Sequence, residues 1–535
     1  MIKFPSLSDI PEKFRLSSPL HQKTYLVNGE MKTWDGPFQE VLSAVFIKDE
    51  NGEFARAQIG SYPLIGEEQA MEALAAAVEA YNSGRGEWPT NSVSERIHAV
   101  EIFTRKMIEV KAEVVTLLMW EIGKSYADSV KEFDRTVEYI YATIDALKDL
   151  DRNSSRFVIE QGIIGQVRRS PLGVVLCMGP FNYPLNETFT TLIPALIMGN
   201  TVMFKPPKHG ALLHFPLLAA FQESFPKGVV NVVYGRGNQI VPSMMTSGKI
   251  DVLTLIGSSR VADSLKKLHP KVNRLRAILG LDAKNAAIVL KDADIDMTVK
   301  ECILGSLSFN GQRCTALKIL FVHSSVVEEF NTKMVEAISK LKPGMPWDEG
   351  VQLTPLPEPN KPAYLESCIK DAVEKGAKVL NENGGAITHS FVFPALVYPV
   401  GPGMKLYREE QFGPVVPVVP FDDIETPIQY IIDSDHGQQV SLFSSDSGAL
   451  SQLIDPLINQ VSRVNINCQC QRGPDTFPFT GRKDSAEGTL SVADALRSFS
   501  IRSLVATKDT PANKNLLNEI VDEQKSNFLS TKFIL

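Results

Sequence analysis

The chain is poor in cysteine and histidine, and each shortage excludes a class of site. Six cysteines among 535 residues are too few for the disulfide framework of a secreted scaffold. The eight histidines are scattered along the chain. Cys468 and Cys470 have neither a second cysteine pair nor a histidine close to them in sequence, so a zinc site is not expected. The sequence predicts neither metal binding nor structural disulfides.

Long apolar runs and an excess of basic charge are also missing. No apolar run reaches the ~18 residues that a membrane-spanning helix needs, and the first residues lack the apolar core of a signal peptide. The net charge is −7, which argues against nucleic acid as the main partner. We expect a cytoplasmic protein with no membrane or nucleic-acid partner.

The composition is that of a large globular protein, with 44% apolar and 22% charged residues. The length suggests about three domain-sized units. Residues 1 to 64 look irregular, and helical periodicity follows in three stretches between residues 67 and 150. A Gln-Gly pair at Gln161 and Gly162, flanked by β-branched residues, predicts a hairpin.

Short apolar strands alternate with helices from residue 173 onward, which indicates a parallel sheet covered on both faces. The predicted strands lie at about residues 174–178, 201–204, 229–233, 252–256 and 276–279. A second alternating block runs from about residue 285 to residue 421. Ligands of such sheets bind at the carboxyl ends of the strands.

Four consecutive strand ends carry residues suited to a dinucleotide. They include Asn182 before a helix, Lys205 and Lys208 on a proline-stiffened loop, Gly237 in a Gly-x-Gly turn, and Ser258 in a small-residue turn. Each signal is weak alone, and the Gly-x-Gly turn lacks the third glycine of the usual fingerprint. Together they predict a dinucleotide along one sheet edge.

Cys314 lies where a helical run gives way to a loop and then a strand. A buried structural thiol is the commoner role for a cysteine. A loop position beside Arg313 instead favours an exposed thiolate nucleophile, because a nearby cation lowers a thiol pKa. The rest of the chain has to decide between the two.

Six ordered motifs between about residues 65 and 507 resemble the aldehyde dehydrogenase superfamily, and most closely its NADP-dependent, non-phosphorylating glyceraldehyde-3-phosphate dehydrogenases. The motifs are Phe181-Asn182-Tyr183-Pro184, Phe204-Lys205-Pro206-Pro207, Gly235-Arg236-Gly237, Gly311-Gln312-Arg313-Cys314-Thr315, Glu409-Glu410-Gln411-Phe412-Gly413-Pro414 and Gln471-Arg472-Gly473-Pro474-Asp475.

The resemblance implies a role for each motif. Cys314 would attack the aldehyde, and the Asn182 amide would hold the oxyanion. Glu410 and Phe412 would bind the nicotinamide ribose and pack beside it. Lys205 would contact the adenosine ribose or its phosphate, and Gly237, Ser258 and Leu281 complete the expected cofactor site. Relatives that prefer NAD often carry an acid at the position of Lys208, so a lysine there predicts NADP over NAD.

The resemblance also implies a site for a substrate phosphate. Its expected residues are Arg135, Tyr183, Arg313 and Arg472. Arginine suits bidentate phosphate contact. The expected substrate is therefore a phosphorylated small-molecule aldehyde, and the expected reaction is the oxidation of glyceraldehyde 3-phosphate to 3-phosphoglycerate.

One position departs from the family pattern. The family's general base is a glutamate that activates water to hydrolyse the thioester, and Gly280 stands at its position. Asp282, two residues on, is a possible substitute because alternate residues of a strand point to the same side. Otherwise deacylation is slow or assisted elsewhere, or the acyl group passes to coenzyme A. A further alternative is a dinucleotide-binding protein impaired in deacylation.

The expected fold is α/β, aldehyde dehydrogenase-like. A Rossmann-type cofactor domain comprises residues 1–156 and 172–281, and an α/β catalytic domain comprises residues 282–487. A β-hairpin oligomerisation arm comprises residues 157–171 and 488–506, and residues 507–535 form a C-terminal extension. In the family this arm mates subunits, so a homodimer or homotetramer is expected.

Overall fold

The computed structural model describes residues 2–534 and contains two large, mainly parallel sheets. Five parallel strands form the centre of the first sheet, and their carboxyl ends lie at one edge. Antiparallel strands extend it on both sides. In spatial order its strands are Ala486–Glu487, Arg276–Gly280, Val252–Ile256, Val174–Met178, Thr201–Lys205, Val230–Val232, Thr24–Val27 and Glu30–Thr33. This confirms the predicted Rossmann-type unit.

The second sheet has seven strands, and all neighbours except the first pair are parallel. In spatial order they are Lys378–Val379, Ala395–Tyr398, Val415–Phe421, Ile319–His323, Ala286–Val289, Gln439–Phe443 and Arg463–Ile466. The central strands are fully buried, as expected for a parallel sheet covered on both faces. The strand that follows Cys314 therefore lies in the middle of this unit.

Helices cover both sheets, and the strand–helix alternation predicted from residue 173 is present. The α-helices are Glu67–Tyr81, Glu87–Thr90, Val93–Glu109, Lys111–Ile122, Tyr126–Ser154, Asn186–Ile197, Leu218–Ser224, Gly237–Thr246, Ser259–Leu268, Ile295–Leu307, Val327–Ser339, Lys361–Glu374, Lys405–Arg408, Glu425–Asp433, Ser447–Leu457, Val492–Ser498 and Pro511–Asp522. Short 3₁₀ turns lie at Leu7–Asp9, Glu12–Phe14, Asn82–Gly84, Leu212–Leu217 and Ser308–Gly311.

The first 64 residues are more regular than the sequence suggested. Strands Phe38–Lys48 and Phe54–Pro63 form a long antiparallel pair, and Leu20–His21 joins it in parallel. The pairing has irregularities in register near Leu42, which obscure the two-residue alternation on which a strand prediction depends. The prediction of an irregular segment was wrong for this reason.

The predicted hairpin is present as strands Val158–Glu160 and Ile163–Pro171. Gln161 and Gly162 both have positive φ, 49° and 76°, as a two-residue hairpin turn requires. Strand Ser500–Lys508 pairs along the whole second strand. The arm therefore has three strands.

The second segment of the arm begins later than predicted. Residues 492–498 form a helix packed against helices Tyr126–Ser154 and Asn186–Ile197, and the strand continues to Lys508. In addition, Ala486–Glu487 pairs with Arg276–Gly280, so the end of the predicted catalytic segment completes the first sheet. The sequence could not predict where the arm segment begins or where the catalytic segment ends, because both boundaries depend on strand pairing and helix packing between distant parts of the chain.

Two small two-stranded sheets complete the fold, Ile387–Thr388 with Phe391–Val392 and His436–Gly437 with Arg482–Lys483. Every side chain of helix Pro511–Asp522 is at least partly exposed. The tail after it returns to the body, where Ser530 exchanges two hydrogen bonds with the amide of Gln166. Within residues 2–534, no helix is both long and apolar enough to cross a bilayer.

Candidate active site

A cavity of about 550 Å³ brings Cys314 together with all four residues predicted to bind the substrate phosphate. Arg135 comes from helix Tyr126–Ser154, Tyr183 from a strand-end loop, Arg313 from the cysteine loop, and Arg472 from a loop after the second sheet. These four positions are far apart in sequence. Their convergence on one thiol supports the role that the resemblance implied for them.

The loop that carries Cys314 is held in an uncommon backbone conformation. Phe309, Asn310 and Gly311 have φ values of 51°, 56° and 71°, a region that few non-glycine residues adopt. A Cβ on Gly311 would lie 2.7 Å from the carbonyl oxygens of Ser306 and Gly413, so only glycine fits. The side chain of Asn310 exchanges hydrogen bonds with Thr354 and fixes the turn. The cysteine is thereby held at the cavity wall.

Burial raises the pKa of the Cys314 thiol above its ordinary value. The Glu187 carboxylate raises it further, while Lys318 and Arg472 lower it. Arg313 is not among the main charges that act on this thiol, and its effect on the pKa stays a prediction. The Arg313 guanidinium donates to the carbonyls of Leu304 and Gly305.

Asn182 lies next to the cysteine loop, as predicted for an oxyanion ligand. Its amide Nδ2 donates to the carbonyl of Gln312 at 2.8 Å. The backbone carbonyl of Asn182 accepts a hydrogen bond from the Lys124 Nζ at 2.8 Å. Lys124 also pairs with buried Glu132, whose Oε1 accepts from the backbone N–H groups of Leu185 and Asn186. A buried ion pair therefore positions the whole loop.

Lys318, to which no role was assigned from the sequence, connects the cysteine to the predicted cofactor residues. Its Nζ pairs with the Glu410 carboxylate and donates to the Cys314 carbonyl at 3.2 Å. It also lies 5.2 Å from the centre of the Phe412 ring. Lys284 supports the same segment, because its Nζ donates to the carbonyl of Glu409. Burial lowers the pKa of Lys284 to about 7.

The predicted cofactor edge is assembled in part around Lys205. Its Nζ donates to the Pro206 carbonyl at 2.8 Å, and burial lowers its pKa to about 8. A Cβ on Gly237, where a helix begins, would lie 3.7 Å from the Lys205 Cε. Lys208 is exposed on the following loop. These residues fit a dinucleotide whose adenosine end lies along this edge.

The Ser258 turn differs from the prediction in one respect. It precedes helix Ser259–Leu268, whose N-terminus would suit a phosphate. However, the N–H and hydroxyl of Ser259 already donate to the Asp282 carboxylate, at 2.8 and 2.9 Å. Leu281 beside it is buried and donates its N–H to the Ser485 carbonyl. A carboxylate of the protein itself thus occupies part of the expected phosphate site.

The same contacts weaken the suggestion that Asp282 replaces the missing base. Its carboxylate points to the helix N-terminus, outside the cavity that contains Cys314. The strand ends at Gly280, so strand alternation does not apply to Asp282, and its hydrogen bonds to Ser259 determine where it points. At Gly280 itself, an added Cβ would meet its nearest neighbour, Leu490, at 3.4 Å. A side chain there is sterically acceptable, so glycine is not required by packing.

Carboxylates already accompany two of the predicted phosphate ligands. Arg135 makes a two-pronged contact with Asp475, at 2.9 and 3.2 Å. Arg472 contacts Asp475 at 3.2 Å and pairs with Glu187. A bound anion would share or displace these partners. The cavity therefore carries less net positive charge than four isolated residues suggested.

Glu187 is the cavity residue that the sequence failed to indicate. It belongs to the first turn of helix Asn186–Ile197, pairs directly with Arg472, and lines the cavity that contains Cys314. In the sequence it appeared only inside Asn186-Glu187-Thr188, a glycosylation pattern with no expected meaning here. Glu187 follows Asn182 by five residues, across the loop that leads into the helix. This spacing is the one feature of the sequence that could have suggested a place near the active site.

Comparison with known proteins agrees with this geometry. The aldehyde dehydrogenase family profile matches residues 49–505. The NADP-dependent glyceraldehyde-3-phosphate dehydrogenase of Streptococcus equinus is 32% identical over 461 residues, 85% of this chain and 93% of that protein. The 3-sulfolactaldehyde dehydrogenase of Priestia aryabhattai is 27% identical over 468 residues, 86% of this chain and 93% of that protein.

Among solved structures, the fold is similar to that of the NADP-dependent glyceraldehyde-3-phosphate dehydrogenase from Bacillus halodurans C-125 complexed with NADP. The TM-score is 0.83 at 29% identity, with 92% of this chain and 100% of that chain covered. The profile match spans most of the chain and includes the cysteine loop, Asn182 and Glu410. The chain belongs to the aldehyde dehydrogenase family, and its activity is that of an aldehyde-oxidising oxidoreductase.

Proposed function

We propose that the protein oxidises glyceraldehyde 3-phosphate to 3-phosphoglycerate with NADP as the hydride acceptor. The observation that carries the proposal is the convergence of Arg135, Tyr183, Arg313 and Arg472 on the cavity of Cys314. Guanidinium groups recognise phosphate through paired hydrogen bonds. The substrate would place its aldehyde at the thiol and its phosphate among these residues.

Residues in the cavity and next to it support each chemical step. The Cys314 thiolate attacks the aldehyde carbon, and the Asn182 amide with the Cys314 N–H stabilises the resulting oxyanion. Bound NADP would supply the hydride acceptor, held by Glu410, Phe412, Lys205 and Lys208. Loss of hydride leaves a thioester on Cys314, and water then releases the acid.

The substrate proposal is tested by following NADPH absorbance with glyceraldehyde 3-phosphate and with unphosphorylated glyceraldehyde. Arg135→Met is expected to lower kcat/KM for the phosphorylated aldehyde by roughly 10–100-fold, the effect of a lost charge-assisted hydrogen bond, and to leave glyceraldehyde little changed. Arg152→Met, on the same helix but exposed, is the matched control. An equal effect of Arg135→Met on both substrates would contradict the proposal.

The cofactor proposal depends on the two lysines at the adenosine end. Lys208 is exposed, and its loop at residues 206–211 contains no acidic residue. Its charge would therefore attract a 2′-phosphate. Lys208→Glu is expected to shift the ratio of kcat/KM values from NADP toward NAD. An unchanged ratio would refute the assignment of NADP preference to Lys208.

A singly charged acidic aldehyde, such as a sulfonated three-carbon aldehyde, is the second candidate. It is favoured by the carboxylates of Glu187 and Asp475, which already offset the charges of Arg472 and Arg135. A sulfonate needs less compensating charge than a phosphate dianion. A higher kcat/KM for 3-sulfolactaldehyde than for glyceraldehyde 3-phosphate would select this alternative.

We also propose that the arm mates subunits in a homodimer or homotetramer. Its three strands expose several large apolar side chains: Val158, Ile159, Ile163, Ile501, Leu504 and Val505. The strand register puts Val158, Ile163 and Leu504 on one face of the arm and Ile159, Ile501 and Val505 on the other, and exposed apolar surface marks interaction sites. Leu504→Glu is expected to shift the protein to a smaller species in light scattering coupled to gel filtration, and a monomeric wild-type protein would contradict the proposal.

A further inference from the structure

Glu187 is a nearly buried carboxylate in the wall of the cavity that contains Cys314. Its side chain is 9% exposed and that of its ion-pair partner Arg472 is 5% exposed. A carboxylate so shielded is costly to bury unless it is paired. Its placement beside a reactive thiol calls for a functional explanation.

The charge of Glu187 acts directly on the thiol. After burial, this carboxylate is the largest contributor raising the Cys314 pKa, ahead of the opposing effects of Lys318 and Arg472. Both Glu187 and Cys314 line the same cavity of about 550 Å³. A raised thiol pKa hinders attack on the aldehyde, and the carboxylate therefore serves some other step.

The carboxylate is also held in a fixed direction. Arg472 donates Nη1 to the Glu187 Oε2, while its Nε contacts Asp475 and its Nη2 contacts the Leu490 carbonyl. The N–H of Glu187 donates to the Tyr183 carbonyl at 3.1 Å. Arg472 engages Oε2, which leaves Oε1 as the oxygen available to accept a proton from a water.

The reaction needs such a group because the usual one is missing. Gly280 provides no carboxylate, and Asp282 is hydrogen-bonded to Ser259 outside the cavity. Hydrolysis of a thioester at neutral pH depends on a base within reach of the attacking water.

We propose that Glu187 is the general base that hydrolyses the Cys314 thioester, an inference that rests on the proposed function. A water O–H proton passes to the Glu187 carboxylate as the C–O bond forms at the thioester carbon. The tetrahedral intermediate collapses, the C–S bond breaks, and the electron pair leaves on the Cys314 sulfur. The proton held by Glu187 then returns to this thiolate, and the carboxylic acid departs.

The test is rapid-mixing kinetics of wild type and Glu187→Gln with NADP and glyceraldehyde 3-phosphate. The variant is expected to give a burst of about one NADPH per active site, followed by a steady state slowed by roughly 10²–10⁴-fold, the usual contribution of a general base. Intact-mass analysis after acid quenching is expected to find the acyl group on the variant. Asp128→Asn, which removes an exposed carboxylate from the cavity rim, is the matched control and is expected to turn over like wild type.

Two further variants distinguish loss of the base from a folding defect in Glu187→Gln. Glu187→Asp keeps the charge opposite Arg472 and is expected to show a full burst with partial turnover. Adding Gly280→Glu to Glu187→Gln restores a carboxylate where the added Cβ has room and is expected to recover turnover. Alkylation of Cys314 supplies an independent readout, since Glu187→Gln should move the thiol titration to lower pH.

Several outcomes would overturn the inference. Unimpaired steady-state turnover in Glu187→Gln is one, and a wild-type product that is an acyl-coenzyme A rather than the free acid is another. Failure of the proposed substrate has a different signature, because wild type would then show no NADPH burst with glyceraldehyde 3-phosphate. The same comparison of wild type and Glu187→Gln is then made with the aldehyde that does give a burst.

Discussion

The junction at residues 182–187 and the strand end at residues 280–284 both bring a carboxylate to the first turn of a helix, but with opposite consequences. Asp282 lies near the position of the family's missing base, and its Oδ2 accepts both hydrogen bonds from Ser259. Glu187 lies elsewhere in the sequence and lines the cavity that contains Cys314, which Asp282 does not. The position of the carboxylate relative to the cavity, rather than its position in the alignment, decides which one is placed for chemistry.

The two carboxylates also differ in what holds them. Asp282 accepts from the backbone and hydroxyl of one neighbouring residue, an arrangement that caps a helix. Glu187 is paired with a buried guanidinium that is itself fixed by Asp475. Removing each partner should therefore separate a catalytic role of the carboxylate from a structural one.

The largest expected effect comes from Arg472→Met. This change leaves the nearly buried Glu187 carboxylate unpaired, and breaking a buried pair costs about 3–5 kcal/mol of unfolding free energy. Denaturant unfolding with and without the substitution measures the loss. The kcat/KM for glyceraldehyde 3-phosphate should fall as well, since Arg472 is a proposed phosphate ligand.

Arg497→Met is the matched control for that measurement. Arg497 pairs with Asp494 in an exposed i, i+3 contact, and such pairs contribute only about 0–1 kcal/mol. If the two substitutions destabilised the protein equally, the pairing of Glu187 with Arg472 would not be the buried contact described above.

A smaller effect is expected from Asp282→Ala. The helix that begins at Ser259 loses an acceptor for its first N–H, which costs about 0.5–2 kcal/mol of unfolding free energy. The rate of thioester hydrolysis is expected to stay at the wild-type level, because the carboxylate points away from the cavity. A burst with slow turnover in this variant would restore Asp282 as the base.

The sequence predicted the strand–helix alternation well because short apolar strands between helices leave a strong pattern. It also predicted Cys314, Asn182 and the arginine set, although for these the family resemblance did most of the work. It did not indicate that the Arg313 guanidinium donates to the carbonyls of Leu304 and Gly305, because a side chain need not point toward its neighbour in the chain. Glu187 could not be identified from the sequence, since only tertiary packing brings it to the cavity that contains Cys314.

Lys318 provides a third comparison, because its cation opposes the effect of Glu187 on the thiol. Burial and Glu187 raise the pKa of Cys314 above its ordinary 9.0, and Lys318 lowers it. The thiolate is the reactive form, so alkylation should still be rising with pH above 9.0. Lys318→Met raises the pKa further and should slow alkylation by iodoacetamide at pH 8 by about threefold to tenfold.

Lys361→Met is the control for the thiol titration. Lys361 lies 5.9 Å from the Phe412 ring, close to Lys318, but it pairs with Glu358 and is not among the charges that act on Cys314. Its substitution should leave the alkylation profile in place. Equal slowing by both variants would mean that the effect is a general change of charge near Phe412.

The smallest expected effect returns to the strand end at residues 280–284. Asp282→Asn removes a negative charge from the N-terminus of helix Ser259–Leu268 and keeps an oxygen that can accept from Ser259. Charge at a helix terminus changes binding by about 0.3–1 kcal/mol, so NADP should bind about twofold to fivefold more tightly in a fluorescence titration. The gain should shrink at high salt, because screening weakens the repulsion between the carboxylate and the cofactor phosphates. A salt-independent change would instead point to a rearranged loop, and an unchanged affinity would mean that the cofactor phosphates do not approach this helix N-terminus.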